Sequence, residues 1–248
     1  MLWNSKTDLP AADRWTVAWI LVAILYPSWV WSGGHHLYAW PMGIFAALAG
    51  FALLVRPFLF RTGAEERRDF WRGLRRDPVL WVGGAYVLLL FVRWGNAWWP
   101  LKIEEGAASE WFTGQPRIPW LPSAVTASEA GILAFGYLNA LVLALLARHG
   151  LQSRRSIRHL FGVLLVNATI LAAFGLVQYV SGTDSIYWTV PCTRHFFASF
   201  YYENHAGEYF YLMFGLAVGY TLYYLCAHPR RPSRRFLVAM GVVLALTY

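Results

Sequence analysis

Stretches of about 20 apolar residues recur along this chain, the length a helix needs to cross about 30 Å of hydrocarbon at 1.5 Å per residue. Seven are read: Trp15–Ser32, Leu37–Val55, Val79–Trp94, Ala130–Ala147, Leu160–Val180, Gly207–Ala227 and Phe236–Tyr248. Such runs restrict the fold to an all-α, polytopic transmembrane helical bundle, because lipid satisfies no backbone polar group and each segment must close its own hydrogen bonds. Composition agrees, with 58% hydrophobic and 14% charged residues, too apolar for an ordinary soluble domain. The last run is too short to span, so the sequence reads as an N-terminal fragment whose seventh helix is incomplete. No internal repeat or soluble linker divides it, and residues 1–248 read as a single transmembrane domain.

The net charge is +8, and its placement matters more than its size. Lys6 and Arg14 precede the first run. The connection 56–78 holds Arg56, Arg61, Arg67, Arg68, Arg72, Arg75 and Arg76, and later even connections hold Arg148, Arg154, Arg155, Arg158, Arg230, Arg231, Arg234 and Arg235. Odd connections carry only Arg93, Lys102, Arg117 and Arg194. The positive-inside rule then expects a cytoplasmic N-terminus in a bacterial inner membrane, with 33–36, 95–129 and 181–206 outside. The arginines are accounted for by topology, and no nucleic-acid partner is expected. The first run lacks a small-residue cleavage pattern and reads as a retained helix. Cys192 and Cys226 fall on opposite sides of the membrane in this topology and cannot pair.

Local patterns set further expectations. Phe70, Trp71 and Leu74 recur at helical spacing within the Arg-rich loop 56–78, which suits a short amphipathic helix on the inner leaflet as well as a solvated loop. Ser123 to Thr126 and Ser128, with Glu129 in the first turn, read as a capped helix start. The tryptophans and prolines of the external loop 95–129 suit chain lying at the interface. Gly215 and Gly219 form a GxxxG pair, expected to admit a neighbouring helix of the same chain.

No Walker A loop, dinucleotide fingerprint, GxSxG elbow, HExxH or paired CxxC occurs, and no cofactor is expected. No carboxylate is placed mid-bilayer, which argues against proton- or sodium-coupled transport. The densest polar cluster is the external loop 181–206, followed by Glu208. There Arg194 is suited to bidentate capture of phosphate. Asn204 and His205 precede the sixth run, where free helix N–H groups face an anion or a sugar. The bland alternatives are that Gly182 ends the fifth helix, Asn204 caps the sixth, and His205 is a surface residue.

The stretch Gly175-Leu-Val-Gln-Tyr-Val-Ser-Gly-Thr-Asp-Ser-Ile-Tyr-Trp188, then Arg194, Ala198-Ser-Phe200 and Glu203-Asn-His-Ala206, resembles the core of the O-antigen ligase and polymerase superfamily. In that family a GLxQYxxGxxxxxW helix end leads to an Arg, a GTF-like step and an N-x-N-H-x-A helix start. The resemblance covers roughly residues 165–220. Ala198 and Ser199 stand in place of the usual Gly-Thr, and Tyr202 where the first Asn is common. It implies metal-independent glycosyl transfer outside the cytoplasmic membrane from a polyprenyl-diphosphate-linked glycan donor to a glycan or lipid acceptor. By the same resemblance Arg194 binds the diphosphate, His195, Glu203 and Asn204 contact substrate, and His205 is a candidate base. A later His- and Arg-bearing external loop of the family falls beyond Tyr248. The competing expectation is a lipid-linked glycan flippase that makes no bond.

Overall fold

The computed structural model describes residues 9–29, 39–60, 63–98, 102–105, 110–192, 195–227 and 233–247. Among these, eight α-helices carry the architecture: α1 (Ala11–Trp29), α2 (Ala39–Phe60), α3 (Ala64–Arg76), α4 (Pro78–Gly95), α5 (Ala127–Gly150), α6 (Arg154–Val180), α7 (Glu203–Ala227) and α8 (Arg234–Thr247). Two antiparallel hairpins interrupt them, β1 (Lys102–Glu105) with β2 (Glu110–Thr113), and β3 (Ser185–Ile186) with β4 (Val190–Pro191). The fold is the expected all-α helical bundle, and the chain is membrane-embedded. Among the described residues five helices are long and apolar enough to cross a bilayer, within α2, α4, α5, α6 and α7. This is fewer than the seven apolar runs. The described part of α1 opens with Asp13 and Arg14, which lower its hydropathy, and α8 has only 14 residues. Large apolar side chains such as Val82 on α4, Val166 on α6 and Leu212 on α7 are well over half exposed in the isolated chain, as lipid-facing surfaces require.

The chain forms two compact units. One comprises Pro10–Ile20 and His35–Gln152, where α2 and α4 pack on α5. Its polar centre joins three helices. The Arg56 guanidinium donates to Gly150 O (2.8 Å) and Thr16 Oγ1 (3.2 Å) and lies 3.9 Å from the Asp13 carboxylate. Both charged side chains are buried. Arg56 is thus part of α2, which continues through Pro57 to Phe60, instead of opening the basic loop. Gly150 admits Thr16: a Cβ there would sit 2.6 Å from its side chain.

Helix α3 is the amphipathic segment, but its apolar face turns onto the protein. Phe70 and Leu74 are buried, Phe70 against His149 and Trp71 against Phe58. Asp77 then starts α4 by accepting from the Val79 N–H (2.9 Å), with Arg148 Nε at 2.6 Å and His149 Nε2 at 2.8 Å on its other oxygen. Burial would raise this carboxyl, but the Val79 N–H and the Arg148 and His149 side chains outweigh it and hold it below its ordinary 3.8. At α5, Thr126 is the N-cap residue, yet its hydroxyl donates to Glu129 Oε2 (2.8 Å) and makes no capping bond with a backbone N–H. Asn96 ties the 95–129 segment together, donating to Ile118 O (2.9 Å) and Leu121 O (3.0 Å) and accepting from Ile118 N (2.7 Å).

The second unit comprises Met1–Leu9, Leu21–Gly34 and Ser153–Tyr248. Here α6 packs against α7 and α8, with Leu165, Ala217 and Met240 at their shared core. Ser153 caps α6 by accepting from the Ser156 N–H (3.0 Å). Residues Gly215 and Gly219 are open: a Cβ on either would meet nothing within 4 Å. The close intramolecular helix approach expected of this pair is therefore not made among the described residues.

Candidate functional site

The connection between α6 and α7 is built from two tight turns. In the first, Tyr187 and Trp188 both adopt positive φ (55° and 57°) at the tip of the β3–β4 hairpin. In the second, Ala198 (φ 55°) and Ser199 join Phe197 to Phe200, whose backbones exchange hydrogen bonds of 3.2 and 2.9 Å. Non-glycine residues rarely occupy this region, so surrounding contacts must hold them. Gln178 does so from the last turns of α6. Only 1% exposed, its amide nitrogen donates to Ala198 O (3.0 Å) and its oxygen accepts from the Tyr187 N–H (3.0 Å). Gly175, one turn earlier, lets the Phe197 ring approach α6 closely: a Cβ there would sit 2.5 Å from that ring.

The same turns grip the end of α1. That helix carries Pro27, which has no N–H to offer the Ala23 carbonyl one turn back. Ser199 Oγ donates to Ser28 O, and the Tyr187 hydroxyl donates to Trp29 O. Burial pushes the Tyr187 phenol up, and the Ser199 hydroxyl partly offsets this. Within the helices, Asn167 accepts from Trp29 Nε1 (2.7 Å) and donates to Ser28 Oγ (3.2 Å) and Tyr209 OH (3.0 Å). Below lies a small apolar core, with Leu171, Ala172, Ala198, Phe200, Ala206 and Phe210 all buried.

On this framework sits a cleft of about 750 Å³. Leu176, Phe197, Phe210 and Leu246 contribute apolar wall; Asp184, Cys192, His195 and Glu203 contribute polar groups; Tyr179 and Tyr211 stand at the lining with largely exposed rings. The volume falls in the range that holds a small ligand. Two of the residues singled out in the sequence, His195 and Glu203, are brought together here, and the Glu203 N–H donates to His195 O (3.2 Å). Asn204 and His205 are not among the lining residues. His205 faces solvent with its side chain 56% exposed, 3.7 Å from Glu208 Oε2 and against the Tyr202 ring. Arg194 lies outside the described residues.

No family model, curated protein or solved structure matches the chain. The site therefore stands on its own chemistry. Carboxylates at Asp184 and Glu203 and the imidazole of His195 accept hydrogen bonds or protons from hydroxyl groups. Among the described residues no group of three or more His, Cys, Asp or Glu side chains is disposed to hold a metal ion. Asp184, Cys192 and Gln178 carried no individual role in the sequence reading. Gln178 and Asp184 lie inside the resembling stretch, where the only signal for them is that stretch itself.

Proposed function

We propose that this chain is a multi-pass glycosyltransferase-type protein. It transfers or polymerises a polyprenyl-diphosphate-linked glycan at the external face of a bacterial cytoplasmic membrane, its N-terminus in the cytoplasm. The observation that carries the reading is the cleft at the α6–α7 connection, where proton-accepting side chains stand above apolar wall at the end of membrane-length helices. Helix α6 begins with Arg154, Arg155 and Arg158 and ends at the cleft. The positive-inside rule accordingly puts the cleft on the external side. The resemblance of Gly175–Trp188 and Glu203–Ala206 to O-antigen ligases and polymerases supports the same activity.

In such a transfer an acceptor hydroxyl oxygen attacks the anomeric carbon of the donor sugar. The bond from that carbon to the diphosphate oxygen breaks, and its electron pair leaves with the polyprenyl diphosphate. The hydroxyl proton passes to a base, a role for which a positioned carboxylate or imidazole is suited. Glu203 and His195 line the cleft and His205 does not, so the geometry favours the first two for that role. Arg194 remains the group proposed to meet the developing diphosphate charge.

The test is transfer in vesicles loaded with lipid-linked glycan. Wild type is expected to form glycan product, Glu203→Gln to lose roughly 10²-fold or more in rate, as removal of a general base does, and His205→Ala to stay near wild type. Movement of the lipid-linked glycan across the bilayer without any transfer would replace this reading with a flippase.

A further inference from the structure

We infer that the cleft between α6, α7 and α8 is a subsite for a neutral, polyhydroxylated sugar headgroup and not for the diphosphate. This rests on the transferase reading and assigns one part of the substrate to a place in the fold. The charged groups lining the cleft are Asp184 and Glu203, with His195 beside them; no Arg or Lys is among the described lining residues. A diphosphate needs cationic or N–H donors and is repelled by two carboxylates on one recess. A sugar presents the opposite chemistry. Its hydroxyls donate to carboxylates, which when ionised accept and never donate, and its C–H faces pack on apolar and aromatic side chains such as Tyr179, Phe210 and Tyr211.

Part of the recess is held by contacts of the fold itself. One wall is the Phe197–Ala198 turn, pinned through Ala198 O by the buried Gln178 amide and seated on Gly175. A wall already fixed costs a ligand little ordering entropy. The second wall, from Glu203 to Tyr211, is the first two turns of α7. Polar groups gather at the loop side, through Asp184, Cys192, His195 and Glu203, while Ala245 and Leu246 of α8 supply apolar lining. Such a pairing fits a sugar, whose hydroxyls and C–H faces need both kinds of surface.

The chain supplies its own reporter. Cys192 lines the cleft, whereas Cys226 is an exposed thiol at the far end of α7 and serves as an internal reference. The full chain, held in lipid nanodiscs, is treated with a maleimide, and labelling of each thiol is followed by peptide mass spectrometry. Octyl glucoside and octyl phosphate, matched in chain and kept below micelle-forming concentrations, are the probes. Octyl glucoside is expected to slow labelling of Cys192 severalfold and leave Cys226 unchanged, with octyl phosphate having little effect. In the Asp184→Asn/Glu203→Gln double variant the preference is expected to vanish, while the rate at Cys226 stays as in wild type and an unchanged thermal unfolding midpoint reports an intact fold. Protection of Cys192 by octyl phosphate equal to or greater than that by the glucoside, or by neither probe, overturns the assignment, as does equal slowing at both thiols. Labelling does not depend on turnover. Glucoside protection without glycan transfer would overturn the enzymatic reading and leave the sugar subsite standing, and transfer without protection would do the reverse.

Discussion

Gln178 connects two peptide groups that no secondary structure serves, the Tyr187 N–H and the Ala198 carbonyl. Truncating it strands both in a buried place, and an unsatisfied buried polar group costs about 1–3 kcal/mol. Gln178→Ala is therefore expected to lower thermal stability by that order and to raise the labelling rate of Cys192, because the adjoining turns lose their hold. Gly175→Ala acts by another route. Its new methyl collides with the Phe197 ring, and overpacking of this kind costs about 1–3 kcal/mol, measurable in a denaturant titration of the purified chain. In the other unit, Arg56→Met leaves the Asp13 carboxylate buried beside an apolar chain, and removing one partner of a buried pair costs about 3–5 kcal/mol. Adding Asp13→Asn is expected to recover much of that loss. Little of this was legible residue by residue. Arg56 sits at the end of an apolar run and reads as the first residue of a basic loop, since sequence does not reveal that Thr16 and the Gly150 carbonyl wait for it. His195 and Glu203 were singled out through the polar external loop and its resemblance, and the fold brings both to the cleft. His205 drew notice for the same reason, yet α7 turns it to solvent.

At the level of elements, length and hydropathy made α2, α4, α5, α6 and α7 readable, each appearing close to its apolar run, because helical hydrogen bonding in lipid leaves few alternatives. What failed was whatever depends on tertiary contact. The β1–β2 hairpin lies in a stretch dominated by aromatic and proline signals. The apolar residues of α3 are spaced for a membrane surface yet are used for packing on the protein. The start of α4 offers an element-scale prediction. Asp77 has a folded pKa below its unfolded value, so its contribution to stability is present above 3.8 and is lost as pH falls through the lower folded value. Wild type is expected to lose its thermal advantage over Asp77→Asn as pH drops from about 6 toward 3. A constant gap between the two across that range would mean that Asp77 acts by shape alone.

For the whole molecule, the reading of a membrane protein rests on five membrane-length helices and their exposed apolar surfaces, and the sidedness proposed for it is testable with the two thiols. A membrane-impermeant maleimide added outside intact cells is expected to reach Cys192 and to reach Cys226 only after the membrane is opened. Labelling of both from one side would reverse or abolish the assigned topology. The grip on α1 by the α6–α7 turns also has a meaning in time. Ser28 and Ser199 are separated by 171 positions, and Trp29 and Tyr187 by 158. Chain synthesis delivers α1 long before its partners exist, so the Ser28 and Trp29 carbonyls meet the hydroxyls that bind them only after the intervening helices have been made. Contacts so distant in sequence also carry a high loop-closure cost, which slows folding. The recess on the other side of those turns is consequently among the last parts of the protein to take shape, and a chain whose later helices insert wrongly is left with no site at all.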